Sequence, residues 1–222
     1  MSLESRKNTA LQDPGAEMVD RMTGLWQHYG RAVMIALGGI VVIVAATLLT
    51  IRHNADQNNV ASKALAEATY LYRRGDLDRA KTTAQQVSKT FASTPSGTDA
   101  HRVAGDAMFW TGNFKDAVTE YKAYLAKSGS GLPADCVRRS LAYSLENDKQ
   151  MAEAAKVYDQ VSGAFDRESS AELLFAGARC YQASGNKAEA VKRLERISLE
   201  FGETSYAMRA RVKLAELSPA SN

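Results

Sequence analysis

Residues Ala32 to Ile51 form one run of twenty amino acids without a charge, bracketed by Arg31 and Arg52. At about 1.5 Å rise per residue, a helix of that length is about 30 Å long, the thickness of a bilayer's hydrocarbon core. Apolar side chains occupy every face, and Thr47 and Thr50 are the only polar interruptions. A helix packed on the surface of a soluble domain would carry a polar stripe. A cleavable signal would start earlier and be shorter, about 7–15 apolar residues. The run therefore predicts a retained transmembrane helix over 32–51, preceded by a polar segment over 1–31 and followed by a linker or helix continuation over 52–62.

The flanks and faces of this run refine the expectation. Ala32, Ala36, Gly39 and Ala46 fall near one helical face, where small side chains let a second membrane helix approach closely. Trp26, Tyr29, Arg31 and Arg52 stand where interfacial residues stand. Met18 to Tyr29 is a candidate juxtamembrane helix. Arg6, Lys7, Arg21 and Arg31 before the run are offset by Glu4, Asp13, Glu17 and Asp20, while Arg52 and Lys63 follow it. The basic bias is close to a tie. Orientation then rests on the usual arrangement of an uncleaved anchor, with the N-terminus cytoplasmic and the larger domain translocated.

The remainder, 63–217 with a tail over 218–222, reads as all-α. Ala, Lys, Glu, Arg and Leu dominate it, and strand-like alternation is missing. Four segments share one pattern: Gly75-Asp76-Leu77-Asp78-Arg79-Ala80, Gly112-Asn113-Phe114-Lys115-Asp116-Ala117, Lys149-Gln150-Met151-Ala152-Glu153-Ala154 and Gly185-Asn186-Lys187-Ala188-Glu189-Ala190. Their closing alanines lie 37, 37 and 36 residues apart. Twelve residues before them stand Ala68, Gly105, Ala142 and Ala178, all small; nine before stand Leu71, Met108, Leu145 and Tyr181, all large. Four after stand Ala84, Tyr121, Tyr158 and Leu194, and seven after stand Val87, Tyr124, Val161 and Ile197. Each unit is a helix–turn–helix that buries its apolar stripe only by stacking on the next.

These positions resemble the signature of tetratricopeptide repeats: a small residue early in the unit, Gly at the turn, Ala after it and an aromatic four residues later. The chain departs from it in lacking the usual early Trp and in placing Lys149 at the third turn. The resemblance implies an α-solenoid of about four units. Ser205 to Leu217 resembles the helix that caps such arrays, with Arg209, Arg211, Lys213 and Glu216 as its polar outer face. The layout of short tail, single span and repeat domain also resembles the ancillary subunit family of the bacterial SecYEG translocon. That likeness implies a bacterial inner-membrane, single-pass protein with a periplasmic repeat domain.

Motifs for chemistry are sparse. His28, His53 and His101 form no metal-ligand pair, and no phosphate-binding loop or nucleophile elbow occurs. Cys136 and Cys180 sit 18 and 10 residues before their closing alanines, a displacement of about 12 Å along equivalent helices, too far for a disulfide. Free buried thiols are expected. A net charge of +3 with interleaved signs disfavours nucleic acid. No enzyme activity, cofactor or metal is expected. Candidate protein-binding residues are Tyr70, Tyr72, Arg73, Arg74, Trp110, Tyr121, Tyr124, Arg138 and Arg139, since aromatics and Arg anchor interfaces. The competing reading is that most of the rings fill the inter-repeat core.

The expected function is that of a membrane-anchored interaction scaffold. In it the chain is a non-catalytic accessory or structural subunit of a larger membrane complex, such as a respiratory or photosynthetic one. The alternative is a translocon-associated, chaperone-like holder of emerging proteins. Expected partners are other integral membrane proteins, the lipid bilayer and translocon or client proteins.

Overall fold

The computed structural model describes residues 14–217. It divides into two units, Met1–His53 and Asn54–Asn222. Residues 1–13 of the polar N-terminal segment and the tail over 218–222 lie outside the described residues, as do the early charges Glu4, Arg6, Lys7 and Asp13.

Helix α1 (Pro14–Arg73) supplies the whole described part of the first unit. The stretch over 52–62 is helix continuation rather than a linker, because no Gly or Pro interrupts it. The most apolar stretch of this helix has no buried residue, and the helix is long and apolar enough to cross a membrane. The Thr47 and Thr50 hydroxyls donate back to the carbonyls of Ile43 and Ala46, each at 2.8 Å. Both polar interruptions are thus satisfied within the helix, as they would have to be in an apolar solvent. Ala32, Ala36, Gly39 and Ala46 are all exposed, and a Cβ at Gly39 would meet open space.

In the second unit, the end of α1 is followed by α2 (Leu77–Thr90), α3 (Pro95–Trp110), α4 (Phe114–Lys127), α5 (Gly131–Asn147), α6 (Met151–Val161), α7 (Arg167–Ala183), α8 (Lys187–Glu200) and α9 (Ser205–Leu217). No strand occurs among the described residues. From α2 on, each helix packs on its neighbour in sequence, and α3 meets α5 and α7 meets α9, the stacking of an α-solenoid. The expected repeat positions form its core. Ala80, Ala117, Ala154 and Ala190 have no exposed surface. Tyr121, Tyr158, Leu145, Leu173 and Leu194 are the large side chains beside them. Gly105 has a packing reason: a Cβ there would lie 2.7 Å from the Tyr121 ring.

The turn within each unit is built the same way four times. In the second, Gly112 N–H donates to Phe109 O at 3.0 Å and Asn113 N–H to Met108 O at 2.9 Å. The pair of bonds satisfies carbonyls that the ending helix leaves orphaned, and it needs a left-handed residue at the turn. Gly75, Gly112 and Gly185 have φ of 80°, 78° and 84°. Lys149 fills that place in the third unit at φ 64°, with the same two bonds from Lys149 and Gln150. A side chain there costs about 1 kcal/mol. Lys149→Gly is therefore expected to stabilise the domain by about 0.5 kcal/mol, after allowing for the freedom glycine adds to the unfolded chain. Thermal melts of both proteins check it; a lower Tm in the variant would contradict it.

Candidate binding groove

Register decides which side chains of the repeat domain remain available. Fifteen and eleven residues before the closing alanines stand Arg102 and Asp106 on α3, Arg139 and Tyr143 on α5, and Phe175 and Arg179 on α7. Neighbouring repeats place them side by side. Tyr72, Asp106, Phe109, Trp110, Tyr121, Arg139, Ser140 and Tyr143 line an open pocket of about 500 Å3. Farther along, Phe175, Ala178, Arg179, Gln182, Leu194, Arg209 and Lys213 line a second of about 290 Å3.

Trp110 is the most prominent anchor of the first pocket. It is 67% exposed although it ends a well-packed helix. Its indole stands edge-on to Phe109 at 5.7 Å, and Phe109 meets Phe114 at 5.5 Å, so the ring is held from below. On the opposite wall the Tyr143 hydroxyl donates to Glu172 at 3.1 Å. Burial raises the Tyr143 phenol to about 12 and the Glu172 charge adds to the effect, which keeps it a neutral donor.

At the floor, Asp106 accepts from the Tyr121 hydroxyl at 2.8 Å and from Arg102 at 3.1 Å. Burial pushes the Asp106 carboxyl above its usual range, and the two donors pull it partly back. Arg139 lies 4.9 Å from the Phe165 ring centroid, while its neighbour Arg138 takes the ion pair with Asp135. The pocket thus offers aromatic faces, one balanced carboxylate and one guanidinium held over the Phe165 ring. That set suits an apolar side chain with polar groups beside it.

The candidate residues separate into distinct groups. Tyr72, Trp110 and Arg139 come together in the pocket. Tyr121 and Tyr124 are corrected from surface anchors to core: their exposures are 1% and 3%, because their register positions face the neighbouring helices. Tyr121 touches the pocket only from beneath. Arg138 is tied to its own helix, paired with Asp135 at 2.7 Å and bonded to the Gly129 carbonyl. Tyr70 and Arg73 lie exposed on α1 and Arg74 in the turn that follows it, all outside the groove. Arg209, expected on a polar outer face, is exposed, and its guanidinium lies over Phe175 and Tyr206 at 4.9 and 4.8 Å. His101 Nδ1 lies 2.7 Å from a Glu120 carboxylate oxygen. Asp106, Arg102, Tyr143 and Phe175 escaped the sequence reading, although the fixed offsets from the closing alanines would have found them.

Both cysteines are free thiols, Cys180 buried and Cys136 half-buried rather than fully enclosed. Burial lifts the Cys180 thiol to about 12, helped by Glu146. At pH 8 only ~10⁻⁴ of it ionises. Alkylation of the native protein is expected to modify Cys136 alone, with Cys180 reacting only on unfolding. Intact-mass analysis over time reads this directly; two adducts forming at one rate would contradict it. Among the described residues, no group of three or more His, Cys, Asp or Glu is placed to hold a metal ion.

Comparison with known proteins agrees with the fold. Residues 65–133 match the family model TPR_16, tetratricopeptide repeat, covering the α1 end through the start of α5. A Podosopora anserina kinesin light chain candidate with nearly identical TPR-like repeats superposes at a TM-score of 0.55 and 21% identity, over 70% of this chain and 84% of that one. A tetratricopeptide repeat protein from Parabacteroides merdae superposes at 0.59 and 14% identity, over 71% of this chain and 59% of that one. No curated protein matches the sequence. The second unit thus has a tetratricopeptide-like solenoid fold, and residues 65–133 within it match repeats of a kind that generally mediates contacts between proteins.

Proposed function

We propose that this chain is a membrane-anchored, non-catalytic protein-binding scaffold. In this reading it is an accessory or structural subunit of a larger bacterial inner-membrane complex, such as a respiratory or photosynthetic one. The span is Ala32 to Ile51, the N-terminus is cytoplasmic and the repeat domain periplasmic. The observation that carries the reading is the pairing of two features in one chain: an apolar helix with every face uncovered and a solenoid with a preformed aromatic groove. An anchor of this kind raises the local concentration of the groove around other membrane proteins, so weak contacts suffice. Ala32, Ala36, Gly39 and Ala46 supply the helix-packing face, and Trp26, Tyr29, Arg31 and Arg52 the interfacial residues.

The groove favours a second reading, a translocon-associated holder of emerging proteins. Its aromatic walls and solvent access suit weak binding of extended apolar segments. Photo-crosslinking from position 110 of the full chain in its native membranes separates the two. A few adducts of fixed identity support the subunit reading, and a broad ladder of exported proteins supports the holder. No adduct from 110, under conditions where an exposed control site labels, would overturn a binding role for the groove.

A further inference from the structure

The repeat register exposes a second surface at the start of the solenoid. In the second, third and fourth units, the positions 14 and 10 residues before the closing alanine are Val103 and Ala107, Ser140 and Ser144, and Ala176 and Cys180. Most are buried: Val103 is 2% exposed, Ala107, Ser144 and Cys180 have no exposed surface, and Ala176 has 4%. In the second unit the cause is explicit, since Val103 packs with Ala68 and Ala84, and Ala107 with Leu71 and Ala80, all in the preceding unit. The same two positions of the first unit are Ala66 and Tyr70 on α1. Both are exposed, Tyr70 at 57%. With Ser62, Leu65, Thr69 and Arg73 they line a shallow groove of about 370 Å3 along that helix.

From this we infer that the groove is a docking seat for a helix of another protein, which continues the stack on α1 where a preceding repeat would pack. Two observations choose the occupant. The seat continues an interface that this fold already builds between its own units, and that interface is helix on helix. Ser62, Ala66 and Thr69 are small enough for close helical approach. The charge at one end is one-sided: Arg73 and Arg74 form no ion pair among the described residues, and Arg74 is instead steadied on Tyr70, whose hydroxyl accepts its N–H at 3.2 Å. The docking helix therefore carries a small or apolar seam and a carboxylate at the end that meets Arg73. A second copy of this chain is a poor match, because its closing helix α9 is itself rich in Arg209, Arg211 and Lys213. This seat is separate from the aromatic groove and does not depend on it.

The test uses the full chain in its native membranes, with a photo-crosslinking residue at position 66 and a control at Lys122. Adducts are mapped to the partner residue. The expected result is one adduct from position 66, absent from the control, that maps to a helix with an acidic residue one or two turns from the crosslink. Arg73→Glu lowers its yield at least tenfold without changing the melting temperature, and reversing the mapped acid to Arg restores it. An adduct with a second copy of this chain, an adduct with lipid only, a crosslink to a loop, or no adduct would each overturn the inference. Loss of the adduct from position 110 with retention of that from 66 would refute the groove reading alone.

Discussion

Tyr158→Ala is expected to cost about 3–5 kcal/mol, a large share of the stability of a domain this size. Tyr158 has no exposed surface. Its ring meets Tyr143 of α5 edge-on at 5.7 Å, and its Cβ lies against Gly177 of α7, where an added Cβ would come within 3.3 Å. It thus joins three successive helices in the largest core cluster. Truncation removes the ring's burial and leaves a cavity that the stacked helices cannot close without shifting. It also removes the hydroxyl that donates to Glu146 at 2.7 Å, although Arg179 still holds that carboxylate at 2.6 Å. Tyr158→Phe separates the two contributions and should cost about 1–2 kcal/mol. Because a solenoid is held together by neighbour contacts, the Ala variant should also melt less cooperatively than the parent. Denaturant unfolding followed by circular dichroism measures both. A loss below about 1 kcal/mol for Tyr158→Ala would contradict the packing described.

Gly97→Ala is the second large effect, and it comes from adding one methyl group. A Cβ at Gly97 would stand 1.9 Å from the Phe91 carbonyl oxygen and 2.6 Å from its carbon. These are backbone atoms in a tight corner, not the end of a flexible side chain. The Phe91 carbonyl accepts from both the N–H and the hydroxyl of Thr94, each at 2.9 Å, and the Thr94 hydroxyl oxygen accepts from Gly97 N–H at 2.9 Å to cap α3. The methyl group must displace this connection between α2 and α3 or tilt α3 away. A cost of about 3 kcal/mol is expected. Gly163→Ala is the control: nothing lies within 4 Å of its added Cβ, so its effect should stay within about 0.5 kcal/mol. Equal melting temperatures for the two variants would show the corner to be looser than described.

The fold was largely legible because its code is local and repeated. The closing alanines sit where helices cross closely, and the positions four and seven beyond them face the next helix, so Ala84, Tyr158, Leu194 and Ile197 are core for one geometric reason. The same register held the answer for Tyr121 and Tyr124, which occupy those positions in the second unit and are core like their equivalents. Judging them by residue type alone, as aromatic anchors, set that information aside. The groove was harder to see, because its face need not conserve polarity from unit to unit. Arg102, Arg139 and Phe175 share one offset, and Asp106, Tyr143 and Arg179 another. Nothing in their chemistry marks them as equivalent. Lys149 illustrates the opposite case: the residue departs from the pattern while the backbone keeps it, because the two turn bonds hold the left-handed conformation against its cost.

The most direct measurement is made on the native membranes. They are first washed at alkaline pH, and the retained protein is then gently solubilised, separated by size and identified together with everything that co-migrates. The scaffold account predicts that the chain stays with the membrane through the wash. It also predicts migration with other integral membrane proteins at fixed stoichiometry. Release of the chain by the alkaline wash, or migration as a lone monomer after gentle solubilisation, would contradict it.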